Sequence, residues 1–204
     1  MEINDIKIAL IGNSGVGKTS IIRRFMDDLF DENISSTICA NSIVKTITRG
    51  KKNYALNIWD TAGQERYQSL GKHFYKDAYI ILLIYDITNQ KSFDSLKQTW
   101  YPDIQIYGEN YVILGVVANK SDLYENDNCV DEQEANNFAK EIGALFFLVS
   151  ARNGSNISIL FDDLLNKFLE KDIQEKVIDI EMGKKSNSSF ELDQRKKRKK
   201  KCCK

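Results

Sequence analysis

Residues 12–19 read GNSGVGKT, directly after the largely apolar run Ile6–Ile11. Gly12 and Gly17 permit a turn so tight that successive backbone N–H groups can point at one anion. Lys18 brings a compact positive charge to β- and γ-phosphates, and the Thr19 hydroxyl can ligate Mg²⁺. Such a loop works only between a strand and a helix, whose N-terminal dipole then faces the anion. Lys7–Ile11 and Thr19–Met26 carry the apolar spacings of those two elements. Gly-rich turns are commonplace, but GxxxxGK[ST] in this setting reads as a nucleotide-phosphate cradle. Its candidate binding residues are Ser14, Gly15, Val16, Gly17, Lys18, Thr19 and Ser20.

Outward from the loop, strand and helix patterns alternate. Strands are predicted over 5–11, 42–48, 53–59, 79–85, 112–118 and 144–149, and helices over 18–27, 67–76, 92–106, 131–141 and 156–174. Val44–Thr48 and Tyr54–Trp59 flank Arg49-Gly50-Lys51-Lys52, which has hairpin composition. The other strands are short apolar runs separated by helices, as in a parallel sheet buried on both faces. The pattern predicts one doubly wound α/β domain with an antiparallel edge and a ligand at the C-terminal strand ends.

Two further segments stand at strand ends. Asn119-Lys120-Ser121-Asp122 follows Val112–Ala118. Asp122 offers two carboxylate oxygens to the N1–H and N2–H₂ donors of guanine, whereas adenine has neither donor and would leave the charge unpaired. Asn119 can bond the purine edge or hold the loop, and the stem of Lys120 can cover a ring face. Ser150-Ala151-Arg152, after the next strand, would complete a base site through backbone N–H groups. Asp60-Thr61-Ala62-Gly63-Gln64-Glu65 ends the strand 53–59. There Asp60 can hold Mg²⁺ through a water, the Gly63 N–H can meet a γ-phosphate, and Gln64 can orient an attacking water.

Composition sets outer bounds. The chain has 204 residues, 42% hydrophobic and 28% charged, as expected for a globular domain. The apolar run Tyr79–Tyr85 is far short of the ~20 residues that span a bilayer. The acidic start Met1-Glu2 fits neither a secretory signal nor N-myristoylation, so a cytoplasmic chain is expected. Net charge is zero, yet residues 195–204 hold eight Lys or Arg and no acid. An acidic body thus carries a cationic tail. Cys39, Cys129, Cys202 and Cys203 fit neither a zinc site nor a disulfide framework, and His73 is the single histidine.

Together these stretches resemble a small GTPase of the Ras superfamily, and within it a Rab. The resemblance covers residues 4 to 175 and the terminal cysteines. Its Rab-like stretches are Leu56–Asp60, Arg66–Leu70, Phe74–Ala78 and Leu83–Thr88. It implies the P-loop GTPase fold: α/β, a six-stranded mostly parallel sheet with one antiparallel edge strand, and helices on both faces. A G domain over 1–175 and a flexible tail over 176–204 are expected. The spacing of Phe30 and Thr37 matches the family pattern, which implies that Phe30 packs on guanine while Thr37 binds Mg²⁺ and senses the γ-phosphate. The implied metal ligands are Thr19, Thr37 and Asp60, and the implied catalytic residue is Gln64.

The same resemblance implies GTP and GDP as ligands, with an exchange factor, a GTPase-activating protein, an escort or GDP-dissociation inhibitor, and effectors as partners. A monomer that cycles between the cytosol and the cytoplasmic face of endomembranes, without nucleic acid, is expected. One stretch departs: Rabs usually continue from the threonine with Ile-Gly-Val-Asp-Phe, whereas this chain has Ile38-Cys39-Ala40-Asn41-Ser42, and Ile34 replaces an aromatic that commonly lies over the phosphates. Of an exposed effector-binding aromatic triad, Trp59 and Phe74 are present and Ser42 replaces the third. A GTP-binding scaffold with negligible turnover is therefore the alternative.

The terminus Arg195–Lys201 is seven consecutive basic residues, followed by Cys202-Cys203-Lys204. A solvated charge run or an RNA-binding segment of a P-loop ATPase would also have that composition. Asp122 argues against the ATPase. The adjacent cysteines resemble the double-cysteine termini of Rabs, which implies geranylgeranyl groups on Cys202 and Cys203. Two lipid chains beside a basic patch meet the multiple-signal condition for stable anchoring.

Overall fold

The computed structural model describes residues 3–32, 37, 41–61, 74–109, 111–124 and 129–172. Gly63, Gln64, Cys202, Cys203, His73, Ile34, the segment Ile38–Ala40, the tail and most of the helix expected over 67–76 lie outside the described residues. The chain divides into two compact units, Met1–Leu164 and Leu165–Lys204. Within the second, residues 165–172 are described and are helical.

In the first unit, strands β1 (Ile3–Ile11), β2 (Asn41–Arg49), β3 (Lys52–Asp60), β4 (Ile80–Asp86), β5 (Ile113–Asn119) and β6 (Leu145–Leu148) form one sheet. Its order is β2-β3-β1-β4-β5-β6. Only the β2–β3 pair is antiparallel; β1–β3, β1–β4, β4–β5 and β5–β6 are parallel. The fold is thus the mostly parallel six-stranded one expected, with a hairpin at one edge. Every residue of β4 is buried, which is why its sequence shows an unbroken apolar run instead of alternation.

Helices cover both faces because each strand alternates its side chains. On one face Ala9, Ile11, Ile81, Leu83, Tyr85, Val116 and Ala118 pack with Phe93, Leu96, Trp100 and Ile104, and with Ala135, Phe138 and Ala139. The helical partners belong to α2 (Gln90–Ser95), a following π turn (Leu96–Trp100), α3 (Tyr101–Tyr107) and α4 (Glu132–Glu141). On the other face, α1 (Lys18–Asp27) buries Ile21 and Ile22, and its Phe25 stacks on Phe161 with ring centroids 3.7 Å apart. Gly115 leaves room there for Leu82, since a Cβ would lie 2.9 Å from its side chain.

The sequence predicted one regular helix over 92–106. The structure instead inserts the π turn, in which the Tyr101 N–H donates to the Leu96 carbonyl. Pro102 supplies a physical reason: it lacks an N–H and its ring would crowd the carbonyl four residues back. The wider turn also sends the Trp100 indole N–H to Asn13 Oδ1 at 2.7 Å.

The consequence for function is positional. The segments after β1, β3, β4, β5 and β6 all emerge at the C-terminal edge of the parallel strands, the edge where doubly wound sheets bind ligands.

Candidate functional site

Gly12, Gly15 and Gly17 hold φ values of +149°, +79° and +95°. A Cβ on Gly12 would strike the Ile84 carbonyl oxygen at 2.1 Å, and one on Gly17 would strike Asn119 Nδ2 at 2.3 Å. Both glycines therefore serve close approach as well as turning. Lys18 opens α1 and folds its ammonium back onto the loop, donating to the carbonyls of Gly12 at 2.8 Å and Asn13 at 2.9 Å. Burial lowers its pKa to about 8, with the nearby Asp60 pulling in the opposite direction. The loop is braced from outside: Asn13 donates to Ser95 Oγ at 2.9 Å while accepting from Trp100.

Thr19, Thr37 and Asp60 arrive from α1, from the segment before β2 and from the end of β3. The Thr19 hydroxyl donates to Asp60 Oδ2 at 2.7 Å and lies 2.8 Å from the Thr37 hydroxyl, which is 3.4 Å from the same carboxylate oxygen. Asp60 Oδ1 is buried without a hydrogen-bond partner. Burial raises the pKa of this carboxyl, opposed by the Thr19 hydrogen bond, the Lys18 charge and Thr37. Two hydroxyls and one carboxylate, one of whose oxygens is unsatisfied, form a hard-oxygen set that suits Mg²⁺ completed by phosphate oxygens and water. Among the described residues no group of three or more His, Cys, Asp or Glu could hold a metal by itself.

A cleft of about 350 Å³ runs from this cluster past the loop toward β5 and β6. Ser14, Gly15, Gly17, Lys18, Thr19, Ser20, Phe30, Thr37, Asn119, Lys120, Asp122, Ala151 and Arg152 line it. Three sequence-predicted residues act from behind the surface. Val16 is buried and accepts from Asn119 Nδ2 at 2.8 Å. Ser150 is buried and donates its hydroxyl to Asp122 Oδ1. Asp60 sits beneath Thr19.

Of the two options open to Asn119, its side chain takes the loop-holding one: besides Val16, its Oδ1 accepts the Ala151 N–H at 3.2 Å. Lys120 adopts a left-handed conformation with φ +68° and pairs with Asp86 Oδ2 at 2.6 Å. Asp86 is in turn fixed by the Thr88 N–H and hydroxyl.

Trp59, Phe74 and Ser42 stand apart from the cleft, on the hairpin side. Ser42 is exposed and lies opposite Trp59 in the β2–β3 register. The Trp59 and Phe74 rings are 6.1 Å apart and tilted by 56°. Lys7 Nζ lies 5.2 Å from the Trp59 ring centroid.

Several cleft residues escaped the sequence patterns. Leu123, Asp31 and Glu32 line it, and Glu32 pairs with Arg152 at 2.9 Å. Their roles depend on contacts between distant segments. Leu123 and Asp31, next to the predicted Asp122 and Phe30, had a positional signal, and Glu32 had none.

A model of the Ras family matches residues 7–170. Among curated proteins, the chain is 40% identical over 164 residues to the Ras-related protein Rab-31 of Rattus norvegicus, covering 80% of this chain and 83% of that one. It is 36% identical over 172 residues to Homo sapiens Rab-22A, covering 84% and 88%. It is 35% identical over 198 residues to the Ras-related protein SEC4 of Saccharomyces cerevisiae, covering 97% and 91%. The sheet, the cleft and these relatives agree: the chain belongs to the Ras family, as a small GTPase of the Rab type.

Proposed function

We propose that this chain is a GTP/GDP switch of intracellular vesicle traffic, tethered to the cytoplasmic face of endomembranes and cycling with the cytosol. What supports this is the meeting of three devices in one cleft: the phosphate loop, the Thr19–Thr37–Asp60 cluster and the Asp122 carboxylate. Asp122, oriented by Ser150, pairs with the N1–H and N2–H₂ of guanine. Phe30 and the stem of Lys120 cover the purine faces. Ala151 and Arg152 close the base site. The N–H groups of the loop and Lys18 take the phosphates.

Thr19, Thr37 and Asp60 would hold Mg²⁺, which when bound supplies positive charge at the β- and γ-phosphates. Gln64 orients the attacking water, and the Gly63 N–H meets the γ-phosphate. Thr37 and Gly63 gather around that phosphate with GTP and let go after hydrolysis. The motifs place no arginine as a finger in cis, so unaided hydrolysis is expected on the order of 10⁻⁴ s⁻¹, awaiting an activating protein. An exchange factor, effectors and an escort or GDP-dissociation inhibitor complete the cycle.

The tail would anchor the switch through geranylgeranyl groups on Cys202 and Cys203. The hairpin face around Trp59 and Phe74 would take partners in the GTP state. Because Ser42 offers almost no apolar area opposite Trp59, that partner set should differ from those of standard Rabs.

Base choice tests the central reading: excess GTP should displace bound labelled GDP, and the same excess of ATP should leave it in place. Displacement by both alike would refute guanine recognition. In single-turnover assays Gln64→Leu should slow phosphate release roughly tenfold or more, the equivalent of ~1.4 kcal/mol of lost orientation, with GDP affinity similar. A wild type that releases no phosphate would instead favour the scaffold. Imaging a tagged chain beside a Cys202→Ser/Cys203→Ser double variant should show a membrane pattern lost in the variant; identical distributions would dismiss lipid anchoring. Pull-downs with GTP-loaded protein should show Ser42→Phe recovering more of the generic Rab partners, and Trp59→Ala fewer. Equal recovery by both and by the wild type would place the effector face elsewhere.

A further inference from the structure

Arg24 lies in α1, outside the cleft, and its side chain is only 15% exposed. Its guanidinium spends its donors on two separate segments. Nε donates to the Ala151 carbonyl at 2.9 Å and Nη2 to the Arg152 carbonyl at 2.6 Å. Nη1 donates to the carbonyl and the carboxylate of Asp28, both at 2.8 Å. Asp28 ends α1 in the left-handed region, φ +56°, and its N–H returns to the Arg24 carbonyl at 3.1 Å. Phe30, a wall of the cleft, follows two residues later. On the other side, Gly154 turns the loop beside the arginine stem at φ +82°, a conformation that L side chains rarely adopt.

We infer that Arg24 is a positioning residue for base recognition: one guanidinium fixes both walls of the purine cleft, Phe30 through Asp28 and the loop Ser150–Gly154 through two carbonyls. This rests on the guanine reading given above. The peptide geometry supplies the mechanism. The peptide bonds of the described residues are trans, so a carbonyl turned toward the guanidinium puts the N–H of the same peptide on the opposite side. Holding the Ala151 carbonyl therefore aims the Arg152 N–H away from α1. The Ala151 N–H of the preceding peptide is held by Asn119. The Arg152 N–H so aimed is the complement of an acceptor such as the purine O6, and it is useful only if the loop cannot rotate. A lysine could meet only those of these four oxygens that converge on one point charge, whereas the planar fork meets all of them in fixed geometry.

The experiment compares release of GDP and of 6-thio-GDP, in which a sulfur replaces O6 as a weaker acceptor, from full-length wild type, Arg24→Ala and Arg24→Lys with Mg²⁺ present. Release of GDP should be roughly tenfold faster from both variants, as loss of several charge-assisted bonds implies. Release of 6-thio-GDP should rise less, so that the ratio of the two rates approaches one. Arg24→Lys keeps stem and charge, and it carries the test if Arg24→Ala fails to fold. Equal acceleration of both nucleotides would reduce Arg24 to a general brace and overturn the inference. So would GDP release within about twofold of wild type in both variants, or wild-type release of the two nucleotides at one rate. A wild type holding ADP as firmly as GDP would instead remove the guanine reading, and this inference with it.

Discussion

The buried side-chain amide of Asn119 is the interaction on which the site depends. It donates to the Val16 carbonyl and accepts from the Ala151 N–H, so one residue at the end of β5 joins the phosphate loop to the base loop. Both bonds are buried, where an unmet amide or carbonyl costs about 1–3 kcal/mol, so neither loop can move without leaving a polar group unpaired. Gly17 shows how tight the join is. Any side chain there would occupy the space of the Asn119 amide nitrogen. Phosphate cradle and base site are thereby parts of one rigid assembly, and strain in either is felt in the other.

The electrostatics of the cleft follow from burying opposite charges close together. Lys18 and Asp60 are each among the buried charged side chains, and each favours the other's charged form. Their mutual attraction does not complete the solvation that burial removes. Lys18 turns to backbone carbonyls, Asp60 to two hydroxyls, and Asp60 Oδ1 is left with none. A site so built is stabilised by a ligand that brings anionic oxygens to the lysine and a cation to the carboxylate. A nucleoside phosphate with Mg²⁺ has that composition.

Much of this was legible in the sequence because the chemistry sits at strand ends marked by glycines and carboxylates. Gly12–Thr19, Asp60 and Asn119–Asp122 mark those positions, and Thr37 followed from family spacing. Strand ends fell within one or two residues, as for β5 at Ile113–Asn119 against an expected 112–118. The π turn went unread although Pro102 marks its place, and the bond from Trp100 to Asn13 that accompanies it, 87 positions away, leaves no local pattern. Arg23 and Arg24 also look alike in the chain. Only the fold separates them: Arg24 meets the base loop 127 residues on, while Arg23 reaches Asp31 at 3.8 Å. Long-range partners of polar side chains are fixed by tertiary geometry, and local pattern carries no trace of them.

The hairpin links the face around Trp59 and Phe74 to the cleft through register. Antiparallel pairing sets Asn41 opposite Asp60 and Ser42 opposite Trp59. Neighbouring strand residues project to opposite faces, so Asp60 turns to the Thr19–Thr37 cluster while its neighbour Trp59 turns to Phe74 and Lys7. Thr37 stands four residues before β2 begins, a span of about 14 Å at most along an extended chain. A slip of one residue in β2 would carry Ser42 away from Trp59 and shift the anchor point of Thr37 together. Whatever holds Thr37 at Asp60 therefore also bears on the strand that presents Ser42. The register of β2 on β3 thereby ties the Thr37–Asp60 cluster and the outer face of the hairpin into one structural unit.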